Sequence, residues 1–322
     1  MNRRFRSAIA VLAGGGAGLA ACGGAPGDQT MAREMPGRCE TAEMVGELPP
    51  ELIEASGITR DPRADDVFWV HNDSGNPAEL FAVDAAGRLI AIVPLEDAPN
   101  RDFEDIAVGP CPSGSCLYLG DIGDNLAVYS SVVIHRLPLP ELPEDTEASD
   151  AGEAPTLPAL RPDESWHLVY PAGPRDAESL AIDAERDELI IVTKGREDVV
   201  ELYTLPLGEL RGRPGSPDTL RRVGRLPVPI GSGTGQLITA GDLSPDGSRF
   251  VVRSYTTLYE FAWPGAADFD TLAVPAASSL LSAFEAQGEG VAWDGSGEVL
   301  LLVSEGRGGR PPTISRVRCP AP

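Results

Sequence analysis

Basic residues are scarce in this sequence of 322 residues. It carries 26 lysines and arginines against 49 aspartates and glutamates, which gives a formal net charge of −23. No basic stripe stands out along the chain. Because phosphate backbones are bound through clustered lysine and arginine, we expect no nucleic-acid partner. A protein this negative favours cations and basic ligands instead.

Familiar catalytic motifs are missing as well. The chain has no G-x-S-x-G nucleophile elbow, no P-loop, no H-E-x-x-H pair and no glycine fingerprint between a strand and a helix. The glycine-rich stretch at 231–235 is not followed by a helical pattern, so it predicts a loop. Only three histidines are present, and they form no cluster with cysteine. A metal site in this chain would therefore use oxygen ligands, which suit calcium or another hard ion.

The start of the chain has the pattern of an export signal. Arginines precede a small-residue apolar run over 7–21, which is too short and glycine-rich to span a membrane as a mature helix. The run ends in LAAC, which resembles the lipobox of bacterial lipoproteins. The resemblance implies a signal peptide over 1–21, a lipid on Cys22 and, since Gly23 is not aspartate, an outer-membrane or cell-surface location. An ordinary signal peptide is the alternative. Residues 22–38 then form a flexible tether.

Four further cysteines remain, and four cysteines allow three pairings. Cys111 and Cys116 flank a hairpin turn, which favours a local disulfide. Cys39 and Cys319 lie at the two ends of the mature domain, and we expect them to pair as well. Exported proteins meet an oxidising compartment in which such bonds persist. Two free buried thiols at the chain ends are the alternative.

One pattern recurs five times along the chain. A polar residue opens a short apolar strand, a turn follows, and a second apolar strand ends in a polar tip. The shortest interval between copies is 48 residues, which is the size of one four-stranded propeller blade. The longest interval contains an acidic, proline-rich insertion at 138–164, which we expect to be solvated and disordered. The copies begin at Ser56, Glu104, Glu178, Gly241 and Glu289.

Each copy is followed by further strands, which completes the predicted fold. Fourth strands are expected at 89–93, 166–170, 220–226 and 272–274. The fifth copy stops after three strands, and 41–48 can supply the missing one, which would close the ring and bring the terminal cysteines together. We predict a monomeric all-β protein with a single β-propeller of five four-stranded blades over 39–319. A cryptic sixth blade and two stacked β-sandwiches are the alternatives.

The repeat predicts where a site would lie. In a propeller, the starts of the innermost strands and the ends of the second strands meet at one mouth of the central channel. Carboxylates crowded there repel each other, which raises their pKa values unless a cation neutralises them. The strand starts supply Ser56, Glu104, Asp105, Glu178, Asp242 and Glu289. The second-strand ends supply Asn72, Asp73, Asp121, Asp124, Asn125, Lys194, Arg253 and Glu305.

We assign roles to these residues as hypotheses. The predicted metal ligands are Glu104, Asp105, Asp121 and Glu305, and the candidate catalytic bases are Glu178 and Glu289. The predicted ligand-binding residues are Lys194, Arg253, Asn72 and Asp73. Two alternatives stay open: the acids could cap turns, or the two cations could balance them without a metal. His71 is either a ligand or base, or a structural residue.

Several phrases in the sequence carry a family resemblance. FEDIA with LYLGDIGDN, WVHNDSGN, RDAESLAID with IIVTKG, and QGEGVAW with VSEG resemble exported bacterial propeller proteins of unassigned activity. They are also loosely similar to propeller phytases and to the esterase-like phytase group. That resemblance implies calcium held by channel acids and an anion held by lysine and arginine. It would place Glu104, Asp105, Asp121, Glu178, Glu289 and Glu305 on metal, and Lys194 and Arg253 on the anion.

The functional hypothesis combines these observations. We expect a lipid-anchored protein of the cell envelope whose acidic channel mouth binds a divalent cation, with calcium as the leading candidate. Through that cation it would bind a small or polymeric ligand. A calcium-dependent hydrolase of phosphoesters, esters or lactones is the first alternative. A protein-interaction scaffold with an inert channel is the second.

Overall fold

The computed structural model describes residues 35–36, 39–142, 154–196, 199–212, 215–229 and 234–321. The predicted signal peptide over 1–21, the predicted lipidation site Cys22 and most of the predicted tether lie outside the described residues, as does the centre of the acidic insertion. No helix in the described part of the chain is long and apolar enough to cross a membrane.

The described chain is built from five sheets, each with four antiparallel strands that follow one another outwards from a central axis, and two of the sheets carry a fifth, short parallel strand at the outer edge. Two short strands come before the first blade: β1 (Met35–Pro36) and β2 (Glu43–Glu47). Blade 1 contains β3 (Ala55–Arg60), β4 (Phe68–Asn72), β5 (Glu79–Val83) and β6 (Leu89–Pro94). Blade 2 contains β7 (Phe103–Cys111), β8 (Gly114–Asp121), β9 (Val132–Pro138) and β10 (Glu164–Val169).

The remaining three blades repeat this order. Blade 3 contains β11 (Ala177–Asp183), β12 (Glu188–Thr193), β13 (Glu201–Pro206) and β15 (Arg221–Arg225). The short β14 (Asp218–Thr219) precedes β15 in the chain and pairs parallel with β10 of blade 2. Blade 4 contains β16 (Ile238–Leu243), β17 (Arg249–Ser254), β18 (Thr257–Ala262) and β19 (Ala276–Ser279). Blade 5 contains β20 (Gln287–Trp293), β21 (Val299–Glu305), β22 (Thr313–Arg318) and β2.

Within the described ranges, five short 3-10 helices lie in the connections between strands. They span Pro50–Leu52, Leu207–Glu209, Thr234–Gln236, Ala266–Thr271 and Leu281–Ala283.

The innermost strands form a closed ring. Strands β3, β7, β11, β16 and β20 each contact the next, and β20 contacts β3. These strands approach very closely: a Cβ on Gly57 would collide with the backbone of Asp105, and one on Gly290 with the carbonyl oxygen of Ser56. Only glycine leaves room for backbones at this distance. The five-bladed propeller is therefore confirmed, and the sandwich and six-blade alternatives are wrong.

Hydrophobic packing between blades holds the ring together. Middle strands such as β12 are buried on both faces because neighbouring sheets cover them, which explains their continuous apolar runs. Buried tryptophans are fixed by acids at the turns: Trp69 Nε1 donates to Asp61 Oδ2 at 3.1 Å, and Trp263 Nε1 donates to Asp183 Oδ2 at 3.0 Å. These two indole N–H groups are thus satisfied, as burial in an apolar layer favours, whereas the buried Trp293 Nε1 has no hydrogen-bond partner.

The N-terminal strand closes the last blade as predicted. Strand β2 pairs antiparallel with β22, with Glu43 opposite Arg316 and Glu47 opposite Thr313. Disulfides join Cys39 to Cys319 beside this pairing and Cys111 to Cys116 across the β7–β8 turn. Both predicted disulfides are confirmed.

Two expectations about the outer strands need correction. The fourth strand of blade 4 is β19, not 272–274, because a 3-10 helix occupies Ala266–Thr271 and delays the strand. The described ends of the acidic insertion are ordered rather than disordered, and many of their side chains remain exposed to solvent. Thr156 and Leu160 form parallel bridges with Ile92 and Leu95 beyond the edge of β6. Although this stretch is rich in proline and acidic residues, it also contains a few leucines that pack against blade 1.

Ring closure predicts unequal effects of the two disulfides on stability. Replacing Cys39 and Cys319 together with serine should lower the free energy of unfolding by about 2–4 kcal/mol, because their bond closes almost the whole propeller chain. The double serine variant at Cys111 and Cys116 is the control and should lose less, since its bond spans 5 residues. Chemical denaturation measures both. Equal losses would contradict a role for the terminal disulfide in ring closure.

Candidate functional site

The register of the five blades brings their strand starts to one mouth of the channel. Five residues occupy equivalent positions, one in each blade. In every blade, the residue comes directly after a residue of the first strand that pairs with the end of the second strand. They are Ser56, Glu104, Glu178, Thr239 and Glu289. Three of the five are acids. We call this end of the channel the acidic mouth and define it by Asp73, Asp102, Glu104, Asp176, Glu178, Glu289 and Glu305.

Asp242 does not belong to this mouth, which corrects the sequence alignment of blade 4. It lies three residues beyond Thr239 on β16 and accepts backbone hydrogen bonds from Leu243 and Trp293, each at 2.8 Å. It lines a separate cavity of about 280 Å³ together with Arg60. The error arose because Thr239 carries no charge, so the nearest acid was taken as the equivalent residue.

Glu104 is the centre of the acidic mouth. One of its carboxylate oxygens lies within 4.8 Å of oxygens of Asp73 and Asp102, and a second group of the same kind joins Glu104 to Asp176 and Glu178. Glu104 is 3 % exposed. Among the described residues, no donor hydrogen-bonds to its carboxylate. Two oxygen triads thus share one buried acid.

A glycine allows the chain to pass close to these acids. Gly123 lies in the tip that follows β8, and a Cβ at this position would collide with Glu104 Oε1 and with the Asp102 carboxylate. The Gly123 N–H donates to the Asp102 carbonyl oxygen at 3.2 Å. The DIGDN segment at 121–125 therefore forms a turn and also packs directly against the acids of the site.

Two acids that the sequence did not single out complete the triads. Asp102 precedes Glu104 by two residues, and Asp176 precedes Glu178 by two residues. Residues two apart in an extended chain face the same way, so each pair points into the mouth. The repeated D-x-E spacing in blades 2 and 3 is the signal that would have identified both residues.

Neighbouring groups position these two acids. Asp121 Oδ1 accepts the backbone N–H of Asp102 and the Arg101 Nε, both at 3.2 Å. Asp176 accepts the backbone N–H of Asp124 at 3.0 Å and pairs with Arg196. Asp121, predicted as a metal ligand, lies behind Asp102 in the structure and outside both triads.

Lys194 is the buried cation among the acids of the mouth. It is buried and forms an ion pair with Glu178, at the edge of the second triad. Arg253, the other predicted cation, is fully buried. It pairs with Glu285 at 2.7 Å and donates to the carbonyl oxygen of Gly290 at 3.0 Å. Arg253 thus balances charge inside blades 4 and 5, whereas Lys194 lies within the mouth.

Asn72 and Asp105 make backbone contacts rather than facing the mouth. Asn72 accepts the Glu54 N–H at 3.1 Å and donates to the Glu51 carbonyl oxygen at 2.7 Å, which fixes the loop into blade 1. Asp105 lies deeper in the channel, where its Oδ2 accepts the Leu180 N–H at 2.9 Å. Both residues shape the ring beneath the acidic triads.

Burial and mutual repulsion shift the pKa values of the mouth acids. Burial raises the pKa of Glu104 well above its usual range, Asp73 and Asp102 raise it further, and Lys194 opposes them. Burial also raises the pKa of Asp73 to about 6. Burial, followed by repulsion between acids, raises the pKa of Glu289 to about 8 and that of Glu305 to about 7. The protein therefore keeps several carboxyl groups in an unfavourable setting.

These pKa values bear on the two candidate bases. With a pKa of about 8, Glu289 is protonated at neutral pH and is an acid there rather than a base. Glu178 is held by Lys194. His71 is buried against Phe103, and burial lowers its pKa to about 4, so its imidazole is neutral. This packing fits the structural interpretation of His71.

Comparison with known proteins finds distant structural likenesses and no relative in sequence. No protein-family model and no curated protein matches the chain. Similar solved structures include the RRP9 WD40 repeats, at 9 % identity and a TM-score of 0.44, covering 88 % of this chain and 100 % of that one. U3-55K is similar at 10 % identity and a TM-score of 0.43, covering 86 % and 98 % of the two chains.

A protein of unknown function from Bacteroides thetaiotaomicron VPI-5482 is also similar, at 9 % identity and a TM-score of 0.44. The match covers 86 % of this chain and 76 % of that one. The first of these structures is described as WD40 repeats and the last has no known function, and the likeness is too distant to carry an argument about this chain. They lend no support to the resemblance to propeller phytases.

The raised pKa values predict that metal-free protein gains stability on acidification. In the folded state these carboxyls hold protons at pH values where the unfolded chain has released them, so stability falls as pH rises through their folded pKa values. In chelator, the melting temperature should therefore increase from about pH 8 to about pH 5. Glu289→Gln should flatten the upper part of this profile, because the pKa of Glu289 is about 8.

Glu185→Gln is the matched control, since the Glu185 side chain is 66 % exposed and lies away from the mouth. It should leave the pH profile unchanged. A flat wild-type profile, or the same flattening in both variants, would contradict the burial of uncompensated acids at the mouth.

Proposed function

We propose that the acidic mouth binds a hard divalent cation, with calcium as the leading candidate. The observation that carries this proposal is the position of Glu104, whose buried carboxylate belongs to both oxygen triads. The residues that would hold the ion are Asp73, Asp102, Glu104, Asp176 and Glu178. The five-bladed propeller supports a scaffold or binding role for the chain, and the mouth supplies a specific place for a ligand.

The chemistry of the donors favours such an ion. Every potential ligand is a carboxylate, which suits calcium, magnesium or manganese better than zinc or copper. Buried carboxylates are costly unless they are paired or coordinate a metal. Lys194 pairs with Glu178 and leaves the Asp73–Asp102–Glu104 triad without a cation inside it. A divalent ion would offset this repulsion, and calcium tolerates the irregular geometry that loop residues provide.

The cation proposal predicts opposite effects of one substitution in two conditions. Calcium should raise the melting temperature of the wild-type protein relative to chelator, because a ligand that binds the folded state stabilises it. Glu104→Gln should raise the melting temperature in chelator, since it removes a buried carboxylate from a repulsive cluster. The same variant should lose most of the calcium-dependent rise, because both triads share this residue.

Scanning calorimetry with and without calcium, repeated with magnesium and manganese, measures these shifts. Glu185→Gln again serves as the control, because it removes the same charge from an exposed site. It should retain the full calcium effect. An unshifted wild-type melting temperature with all three ions would overturn the proposal, as would a calcium effect that survives in Glu104→Gln.

The hydrolase hypothesis remains a prediction that rests on the family resemblance. It requires a carboxylate base beside the ion. Neither Glu178 nor Glu289 has the protonation state and freedom of a base in the unliganded site, given the Lys194 ion pair and the pKa of Glu289 of about 8. Cation binding is therefore the function that the geometry supports best.

We also propose that the protein is exported and anchored through lipid on Cys22. The LAAC motif supports this location, and so do the two disulfides, which persist in oxidising compartments. A lipid at this position would tether the propeller to a membrane surface through 22–38.

Lipid anchoring predicts a simple change in fractionation. In a bacterial host that processes lipoproteins, the full-length protein should partition into the membrane fraction, and Cys22→Ala should move it to the soluble fraction. Mass spectrometry should detect a lipid on the N-terminal peptide of the wild-type protein alone. The double serine variant at Cys111 and Cys116 is the control and should stay in the membrane fraction. Equal partitioning of wild type and Cys22→Ala would refute the anchor.

A further inference from the structure

Exposed apolar side chains are concentrated around the acidic mouth. Six large apolar residues of the described chain are strongly exposed, and five of them lie on loops that lead into an innermost strand or leave a second strand. In this fold those loops form the face that carries the mouth. The five are Ile53, Leu126, Val128, Leu281 and Phe284. The sixth, Met44, lies on β2 at the outer edge of blade 5.

These side chains contribute little to the fold. Phe284 is 81 % exposed and Leu126 is 80 % exposed, so neither buries much apolar surface. Phe284 also adopts a φ of 55°, a left-handed conformation that is unfavourable for an aromatic residue. Exposed apolar groups collected on one face, with polar residues between them, commonly mark an interaction site.

Hydrogen bonds place the apolar loops next to the acids on different blades. Leu126 and Val128 belong to the loop whose Asp124 N–H donates to Asp176 Oδ1. On another side of the mouth, the Ile53 carbonyl oxygen accepts the N–H of Gly306, the residue after Glu305. The Phe284 carbonyl oxygen accepts from Arg310, on the loop that follows Glu305. Exposed apolar residues therefore lie on more than one side of the acidic mouth.

We propose that this face docks a basic, partly apolar polypeptide segment of a partner protein. Lysine or arginine side chains of the segment would approach Glu54 and Glu305, while its apolar residues would cover Phe284 and Leu126. Charge complementarity selects this occupant, because the chain has a net charge of −23 and the mouth gathers buried acids.

The charges of the rim favour a cationic polypeptide over an anionic surface. Arg101 and Arg196, the arginines beside the triads, are already paired with Asp121 and Asp176. Arg307 and Arg310, on the loop after Glu305, offset part of the negative charge on that side, but the acids of the mouth outnumber these two arginines and Lys194. Anionic lipid headgroups would meet the remaining carboxylates and be repelled. Occupation of the inner triads by a divalent ion would leave Glu54 and Glu305 outside both triads, so the docking proposal does not depend on the cation site.

Three synthetic peptides test this proposal by fluorescence anisotropy. One alternates lysine with leucine, a second alternates glutamate with leucine, and a third alternates lysine with serine. The lysine–leucine peptide should bind the wild-type protein in chelator and in calcium, and high salt should weaken it. The other two should bind at least about tenfold more weakly, because each lacks one of the two recognised chemistries.

Variants distinguish binding at the docking face from nonspecific binding elsewhere on the surface. Phe284→Asn should weaken the lysine–leucine peptide about tenfold, as truncation of an aromatic anchor does. It should not lower the melting temperature, because asparagine tolerates a positive φ better than phenylalanine. Met44→Ser is the control: it removes an exposed apolar side chain from blade 5 and should leave binding unchanged.

Several results would overturn the docking proposal. These are equal binding of the glutamate–leucine peptide, equal losses in Phe284→Asn and Met44→Ser, or no binding of any peptide. Sedimentation velocity without peptide covers another occupant: self-association abolished by Phe284→Asn would identify a second copy of this chain instead. Since calorimetry with calcium tests the cation site separately, failure of either proposal is recognised without the other.

Discussion

The close approach of five innermost strands is the constraint on which the rest of this structure depends. Gly57 and Gly290 permit backbone contacts that no larger residue would allow. Because the strands meet so closely, residues at their starts become neighbours although they are distant in sequence. The same geometry leaves little room in the channel, so polar side chains at one end are pressed together and lose water. Packing that stabilises the ring therefore creates the electrostatic conflict at its mouth.

The electrostatic repulsion among the acids of the mouth destabilises the folded state. A purely structural role for these acids does not explain why they are there. Buried acids with raised pKa values reduce stability at neutral pH, and Lys194 relieves only part of the repulsion around Glu104. Elsewhere in the described part of the chain, buried charges have direct partners: Arg249 meets Glu260, Arg253 meets Glu285, and Asp105 and Asp242 accept backbone N–H groups. The fold is thus able to supply partners for buried charge within its blades, whereas the Glu104 carboxylate at the mouth faces other acids.

The sequence predicted the architecture better than the details of the site. The recurring strand pattern and the missing last strand were sufficient for five blades and for ring closure through 41–48, because both follow from counting strands. Glu104 and Glu178 were found because they open their strands. Asp102 and Asp176 were missed because they precede the apolar pattern, and Asp242 was misplaced because Thr239 broke the acidic repeat. Side-chain pairings such as Arg253 with Glu285 depend on packing between blades, which strand patterns do not encode.

The five equivalent strand starts also distinguish a structural residue from a functional one. In blade 1 the position holds Ser56, whose hydroxyl donates to the Glu104 carbonyl oxygen at 2.8 Å. In blade 4 it holds Thr239, whose hydroxyl donates to the Glu289 carbonyl oxygen at 2.9 Å. Each hydroxyl joins its blade to the next, which is what a purely structural residue would do here. Glu104 makes no such bond with its carboxylate and faces other acids instead. Since a serine or threonine would satisfy the fold at this position, the acid in blade 2 is a residue that the fold does not require and that the proposed cation site would account for.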